Sequence, residues 1–278
     1  MPRPLLSLIP AVLVVTLAAA GAAGAPKAVT SIALAAPMTA GEETPSPAGD
    51  VSAARGSFAA TATKSEPGAT LSWRLTFSGL TGPGTAAHIH TGPKGQAGPV
   101  VVPLCGPCES GASGTATITA AVLDAIQTGG AYANVHTNTN KGGEIRGQVA
   151  VQASLNASLR PGQEVPRPKG KVRRARATFA GTVTKLGDSA TLSWRLTFSG
   201  LTGRALAAHI HVGRRGKAGP VAVSLCGPCR NGARGTADLN ASVLTALQAG
   251  RAYVNVHTKR NKGGEVRGQL PVPALTLS

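Results

Sequence analysis

The sequence predicts two tandem all-β domains, each an antiparallel β-sandwich or Greek-key barrel with one short helix. Distinctive segments recur without a gap at an offset of 121 residues, so the chain holds two copies of a unit far longer than a solenoid repeat. Within each copy the dominant period is two: Leu71, Trp73, Leu75 and Phe77 alternate with Ser72, Arg74, Thr76 and Ser78, as in a strand with one buried and one wet face. The 36 Gly and 20 Pro among 278 residues cut the chain into short segments, which suits many strands joined by tight turns. With eight aromatic residues in all, a Leu-rich single core, a long coiled coil and a multi-span membrane protein are excluded.

Taken in order, residues 1–25 read as a secretory signal. Arg3 precedes the apolar run Leu5 to Ala20, and small residues follow it, with cleavage expected after Ala22 or Ala23. No later segment is apolar enough to span a bilayer, so the mature chain is expected outside the cell, secreted or at its surface. The first domain is expected over residues 31–151 and the second over 152–278, with a short link between them. Strands are expected at Ser57–Thr63, Leu71–Ser78, Ala87–His90, Val100–Leu104, Ala131–Thr137 and Glu144–Val151, with counterparts in the second copy. A helix is expected at Thr119–Thr128, where Val122, Leu123 and Ile126 form an apolar stripe that Gly129 ends, and its counterpart is Asn240–Ala249.

The identical segments carry the chemistry. LSWRLTFSGLTG occupies Leu71–Gly82 and Leu192–Gly203, AAHIH ends at His90 and His211, LCGPC ends at Cys108 and Cys229, and NVHT contains His136 and His257. All six histidines fall in these motifs: His88, His90 and His136, then His209, His211 and His257. Residues i and i+2 of a strand share a face, so His88 and His90 project together while Ile89 turns to the core, and His136 shares a face with Asn134 and Tyr132. If the two strands are neighbours, three imidazoles converge on one outer patch. Three imidazole nitrogens suit copper or zinc, with the remaining position open. The alternative is that the rings bond to loop carbonyls and pin the segment Gly92–Pro99.

Cys105 with Cys108, and Cys226 with Cys229, share the CGPC spacing of thioredoxin-type redox sites, but polar and Gly residues follow where that site opens a helix. In an exported chain a local disulfide within each pair is the leading reading, and a thiolate joining the histidines is the alternative. No Ser-His-Asp or paired-carboxylate arrangement emerges, so the chain reads as non-enzymatic. Glu43 and Glu164 are expected to brace turns, and Glu144 and Arg146, two apart on one strand face, to form an ion pair or cross-strand contact.

Charge is uneven. Residues 26–150 carry seven basic and seven acidic side chains, whereas residues 151–278 carry 20 basic and four acidic. The densest cluster is Arg167, Lys169, Lys171, Arg173, Arg174 and Arg176. Such a domain attracts an anionic extracellular polymer or cell surface, with a plainly solvated basic face as the alternative. Specific nucleic-acid recognition has no support, because aromatics that would stack on bases are missing from the cluster.

The aligned copies resemble the CHRD domain. The matching residues are GEETP or GQEVP at the start of each unit, LSWRLTFSGLTG, AAHIH, GPV, AYANVHT or AYVNVHT, and GGEIRGQ or GGEVRGQ. The resemblance covers nearly all of both units and implies a β-rich extracellular module. The HIH strand is also similar to the metal strand of copper-zinc superoxide dismutases. That family needs more histidines and a zinc-ligating Asp, so a full dinuclear site is not expected here, while a simpler, mononuclear site remains open.

Overall fold

The computed structural model describes residues 31–273 and 275–277; the signal expected at residues 1–25 lies outside them. The two domains are all-β and built alike, as predicted. The first holds β1 (Ser31–Thr39), β2 (Arg55–Ser65), β3 (Gly68–Ser78), β4 (Ala86–Thr91), β5 (Val100–Cys105), β6 (Ser113–Thr119), α1 (Ala120–Gln127), β7 (Ala131–His136) and β8 (Ile145–Gln148). The second holds β9 (Ala150–Leu159), β10 (Arg176–Leu186), β11 (Ser189–Ser199), β12 (Ala205–Val212), β13 (Val221–Cys226), β14 (Ala233–Leu239), α2 (Ala241–Gln248), β15 (Ala252–Thr258) and β16 (Val266–Gln269). Among the described residues no helix is long and apolar enough to cross a membrane.

Each domain stacks two antiparallel layers. In the first, β6-β3-β2-β1 faces β5-β4-β7-β8, and the layers meet at one corner where Thr39 of β1 pairs with Arg146 of β8. Alternation drives the packing. Leu71, Trp73 and Leu75 of β3 turn inward against Phe58 of β2 and Ile89 of β4, all nearly or fully buried, while Ser72, Arg74 and Thr76 face water. α1 lays Val122, Leu123 and Ile126 on this core. It starts where the Thr119 hydroxyl accepts the Val122 N–H at 3.3 Å, and α2 is capped in the same way by Asn240.

The link between the domains is itself a strand, so the expected boundary between residues 151 and 152 falls inside β9. Its first residues pair with β1, Ala150 opposite Ala35 and Gln152 opposite Ala33, while the strand as a whole pairs with β10. The outer layers of the two domains therefore run together as one sheet, β6-β3-β2-β1-β9-β10-β11-β14. A hydrogen bond from Lys185 Nζ to the Gln127 carbonyl adds to the junction.

Gly147 lies where β8 crosses β1. A Cβ at this position would sit 2.1 Å from the Pro37 carbonyl oxygen. Gly147→Ala must therefore open the corner that joins the two layers, and we expect a loss of about 1–3 kcal/mol in urea unfolding. Gly82→Ala, which meets nothing within 4 Å, is the neutral control. Equal midpoints for the two variants would contradict the close crossing.

Candidate metal centre

Pairing between β4 and β7 sets the site. Ala86 lies opposite His136, His88 opposite Asn134 and His90 opposite Tyr132, so the three imidazoles share one face of the layer while Ile89 and Val135 enter the core. In β12 and β15 the same register unites His209, His211 and His257. In each domain one ring nitrogen from every imidazole lies within 4.8 Å of the other two. His88 Nδ1 is 3.0 Å from His136 Nε2, and His209 Nδ1 is 3.1 Å from His257 Nε2.

The face that carries them is not the open outer patch expected from strand parity. His90 and His136 are buried, as is His211, and only His88 and its counterpart His209 are half-buried at the rim with His257. Loops roof the layer. Tyr132 stacks on His90 with ring centroids 4.9 Å apart, and the Arg146 guanidinium lies 3.4 Å over the other face of Tyr132. Arg146 also donates to the Gln96 and Pro93 carbonyls and to Gln148 Oε1, while Gln148 Nε2 donates to the Gly92 carbonyl. The segment Gly92–Pro99 is thus fastened over the imidazoles from below, and Arg267, Tyr253 and Gln269 repeat the arrangement.

Two of the three rings in each domain have one nitrogen committed. His90 Nδ1 bonds to the Gly98 carbonyl at 2.8 Å and His136 Nδ1 to the Lys141 carbonyl at 2.9 Å; a carbonyl only accepts, so both Nδ1 atoms carry the proton. Both Nε2 atoms are then unprotonated acceptors. His136 Nε2 receives the Nδ1–H of His88, whereas His90 Nε2 is buried without a partner, and His211 Nε2 matches it. The sequence posed carbonyl pinning and metal ligation as alternatives. The geometry makes them compatible, because two rings in each domain spend one nitrogen on a loop carbonyl and turn the other inward, as ligating histidines do.

Acidic side chains stay outside the ligand set. The expected Glu144–Arg146 ion pair does not form. The Glu144 carboxylate instead accepts from the Thr81 amide and hydroxyl, from Thr137 Oγ1 at 2.7 Å and from Asn140 Nδ2 at 2.9 Å, and Arg146 is held by Tyr132 and carbonyls. Burial pushes the Glu144 carboxyl up, but the hydrogen bonds from Thr137, Thr81 and Asn140 outweigh it and hold the group below the usual range. Glu43 braces its turn by accepting the Thr44 amide, and burial holds its pKa above the usual carboxylate value. Its Oε2 is buried without a partner beside Asn134 and Gly143. Glu164 likewise accepts the Val165 amide and is raised by burial, but its Oε2 accepts from Asn255 Nδ2 at 3.4 Å.

The remaining expected residues lie elsewhere. Cys105 bonds to Cys108 and Cys226 to Cys229, with Cα atoms 5.3 and 5.2 Å apart, so no thiolate joins the histidines. Each bridge closes a four-residue loop and contributes about 2 kcal/mol by chain entropy, shaping the end of β5 or β13. Arg167, Lys169, Lys171, Arg173, Arg174 and Arg176 are all exposed. Their loop is tied to the centre by Asn261, whose Oδ1 accepts the Lys169 amide at 2.6 Å. Sequence reasoning did not find the roles of Tyr132, Arg146, Gln148 and Asn134; their recurrence as Tyr253, Arg267, Gln269 and Asn255 inside the repeated motifs was the available signal.

A family model described as the CHRD domain matches residues 34–149 and 155–270. No curated protein and no solved structure matches the chain.

Burial lowers the pKa of His88 and His136, and of His209, His211 and His257, in each case as the largest cause. A folded pKa below the unfolded one means that the unfolded chain binds more protons, so the stability these rings contribute is present at neutral pH. It is lost as pH falls through the unfolded value of about 6.5 toward the lower folded values. We expect chelator-treated protein to show a lower Tm at acid pH, with a smaller drop in the His88→Gln/His209→Gln variant. A drop of equal size in the variant would contradict the assignment.

Proposed function

The chain belongs to the CHRD-domain family in two tandem copies, and from that premise we propose that it is an exported, non-enzymatic binding protein holding one divalent transition-metal ion, copper or zinc, in each domain. One observation carries the reading. In both domains two imidazoles spend Nδ1–H on loop carbonyls and turn Nε2 toward a third ring, leaving His90 Nε2 and His211 Nε2 buried and unpartnered. An unsatisfied buried acceptor costs about 1–3 kcal/mol, and a metal ion seated among the three rings would offset that cost in each domain. His88, His90 and His136 would hold one ion, and His209, His211 and His257 the other. Three neutral nitrogens suit either metal, which would keep a further position for water or an outside ligand. Binding requires His88 to give up the Nδ1 proton it now donates to His136, and the half-buried rim of that ring offers the way in.

CHRD domains occur in extracellular proteins, which supports export, as do the expected signal and the paired cysteines. The non-enzymatic reading rests on the sequence, which offers no nucleophile, base and orienting acid in one set.

A second reading concerns the second domain alone. Its excess of 20 basic over four acidic residues, with six exposed basic side chains along residues 167–176, supports contact with an anionic extracellular polymer or surface. Among the described residues the one ion pair is Lys94 with Glu42, in the other domain, so this charge is not neutralised internally.

Metal analysis after dialysis against zinc or copper tests the first reading. We expect two ions per chain, one in His90→Ala or His211→Ala, and near zero in the double variant. Saturation at about 100 times Kd should stabilise each site by about 2.7 kcal/mol. Stoichiometry unchanged in the double variant would refute it.

A further inference from the structure

The outer face of the shared sheet carries a feature that neither the metal centres nor the 167–176 loop accounts for. Arg195 of β11 and Arg234 of β14 are direct cross-strand partners, both exposed, among small and polar neighbours, with Arg176 of β10 on the same face four residues beyond Ala180. Directly opposed side chains have Cβ atoms about 5 Å apart, and like charges so placed repel. Among the described residues neither guanidinium has an ion pair or hydrogen bond. The nearest acid on the face, Asp238, lies four residues along β14, about 13 Å away at strand spacing.

The row continues across the sheet. Ala180 of β10 sits beside Arg195 and Asn156 of β9 beside Ala180, so a small side chain leaves a trough between an amide and two guanidiniums. Ser154, Thr182 and Ser193 form the adjacent row, and these residues with Arg195 and Arg234 line a shallow groove of about 400 Å³. Three strand spacings make the groove about 14 Å long from β9 to β14. The first domain repeats the row as Ala35, Ala59, Arg74 and Ser113, with one arginine instead of two.

We infer that this groove is a binding site for an acidic polysaccharide. Two opposed guanidiniums grip one carboxylate or sulfate, and a shared anion turns their repulsion into attraction. The serine, threonine and asparagine row supplies donors and acceptors for sugar hydroxyls. No exposed aromatic side chain lies on the face to stack on bases, and no apolar cluster lies there to enter a lipid layer. The inference rests on the polyanion reading for its ligand class and moves the specific contact from the basic cluster at 167–176 to the middle of the sheet face.

Biolayer interferometry of the full chain at low ionic strength, with dextran sulfate, polygalacturonate, neutral dextran and duplex DNA as probes, tests it. Arg195→Ser/Arg234→Ser should lose about ten-fold or more in affinity for both acidic polysaccharides, whereas Arg173→Ser/Arg174→Ser, which removes the same charge, should lose about three-fold or less. The first variant should keep its Tm or gain slightly, since a like-charge pair is removed. Equal losses in the two variants would overturn the groove and leave the polyanion reading standing. No binding by the unaltered chain to any anionic probe would overturn both, and tighter binding to DNA than to either polysaccharide would overturn the ligand class.

Discussion

Two backbone carbonyls per domain govern what the imidazoles can do. Gly98 and Lys141 accept the Nδ1 protons of His90 and His136, and with those protons fixed the two Nε2 lone pairs point into the space that His88 closes. Without the carbonyls each ring would be free to choose its tautomer, and a cluster of three imidazoles would be a set of mutual donors and acceptors. The Gly98 carbonyl is held in turn by the roof: Arg146 on Tyr132, Tyr132 OH accepting the Gly98 amide, and Gln148 reaching Gly92. A buried, uncompensated guanidinium is expensive, and three acceptors plus an aromatic face offset it here.

Duplication separates what the fold needs from what each domain does with its surface. The His–His contact, the two carbonyl bonds and the arginine–tyrosine stack recur within about 0.1 Å between copies. The surfaces differ instead: the second copy adds basic side chains in the loop before β10 and places Arg234 where the first copy has Ser113. The shared sheet through β1 and β9 presents both outer faces as one continuous surface.

Much of this was legible in the sequence, for physical reasons. Period-two alternation located β2, β3, β4, β5 and β7 and placed the three imidazoles on one face, and an apolar stripe ended by Gly129, carried across the repeat, located both helices. β1 and β6 escaped notice because Ala, Gly, Ser and Thr give little contrast between faces, although Ile32, Leu34 and Met38 do turn inward. The roof was illegible for a different reason. The partners of Arg146 are loop carbonyls, which leave no side-chain signature, so the nearby Glu144 looked like its natural counter-ion while that carboxylate was already satisfied by Thr81, Thr137 and Asn140. For the same reason strand parity implied an open patch where the loops in fact bury two of the three rings in the first domain and one in the second.

The most direct measurement is long-range ¹H–¹⁵N correlation of the histidine rings, first without metal and then with zinc added. The account predicts that His90 and His136, with His211 and His257, hold the Nδ1–H tautomer throughout, while His88 and His209 move their proton from Nδ1 to Nε2 as zinc enters. An Nε2–H tautomer at any of those four rings in the metal-free protein, or no change at His88 and His209 when zinc is present, would contradict it.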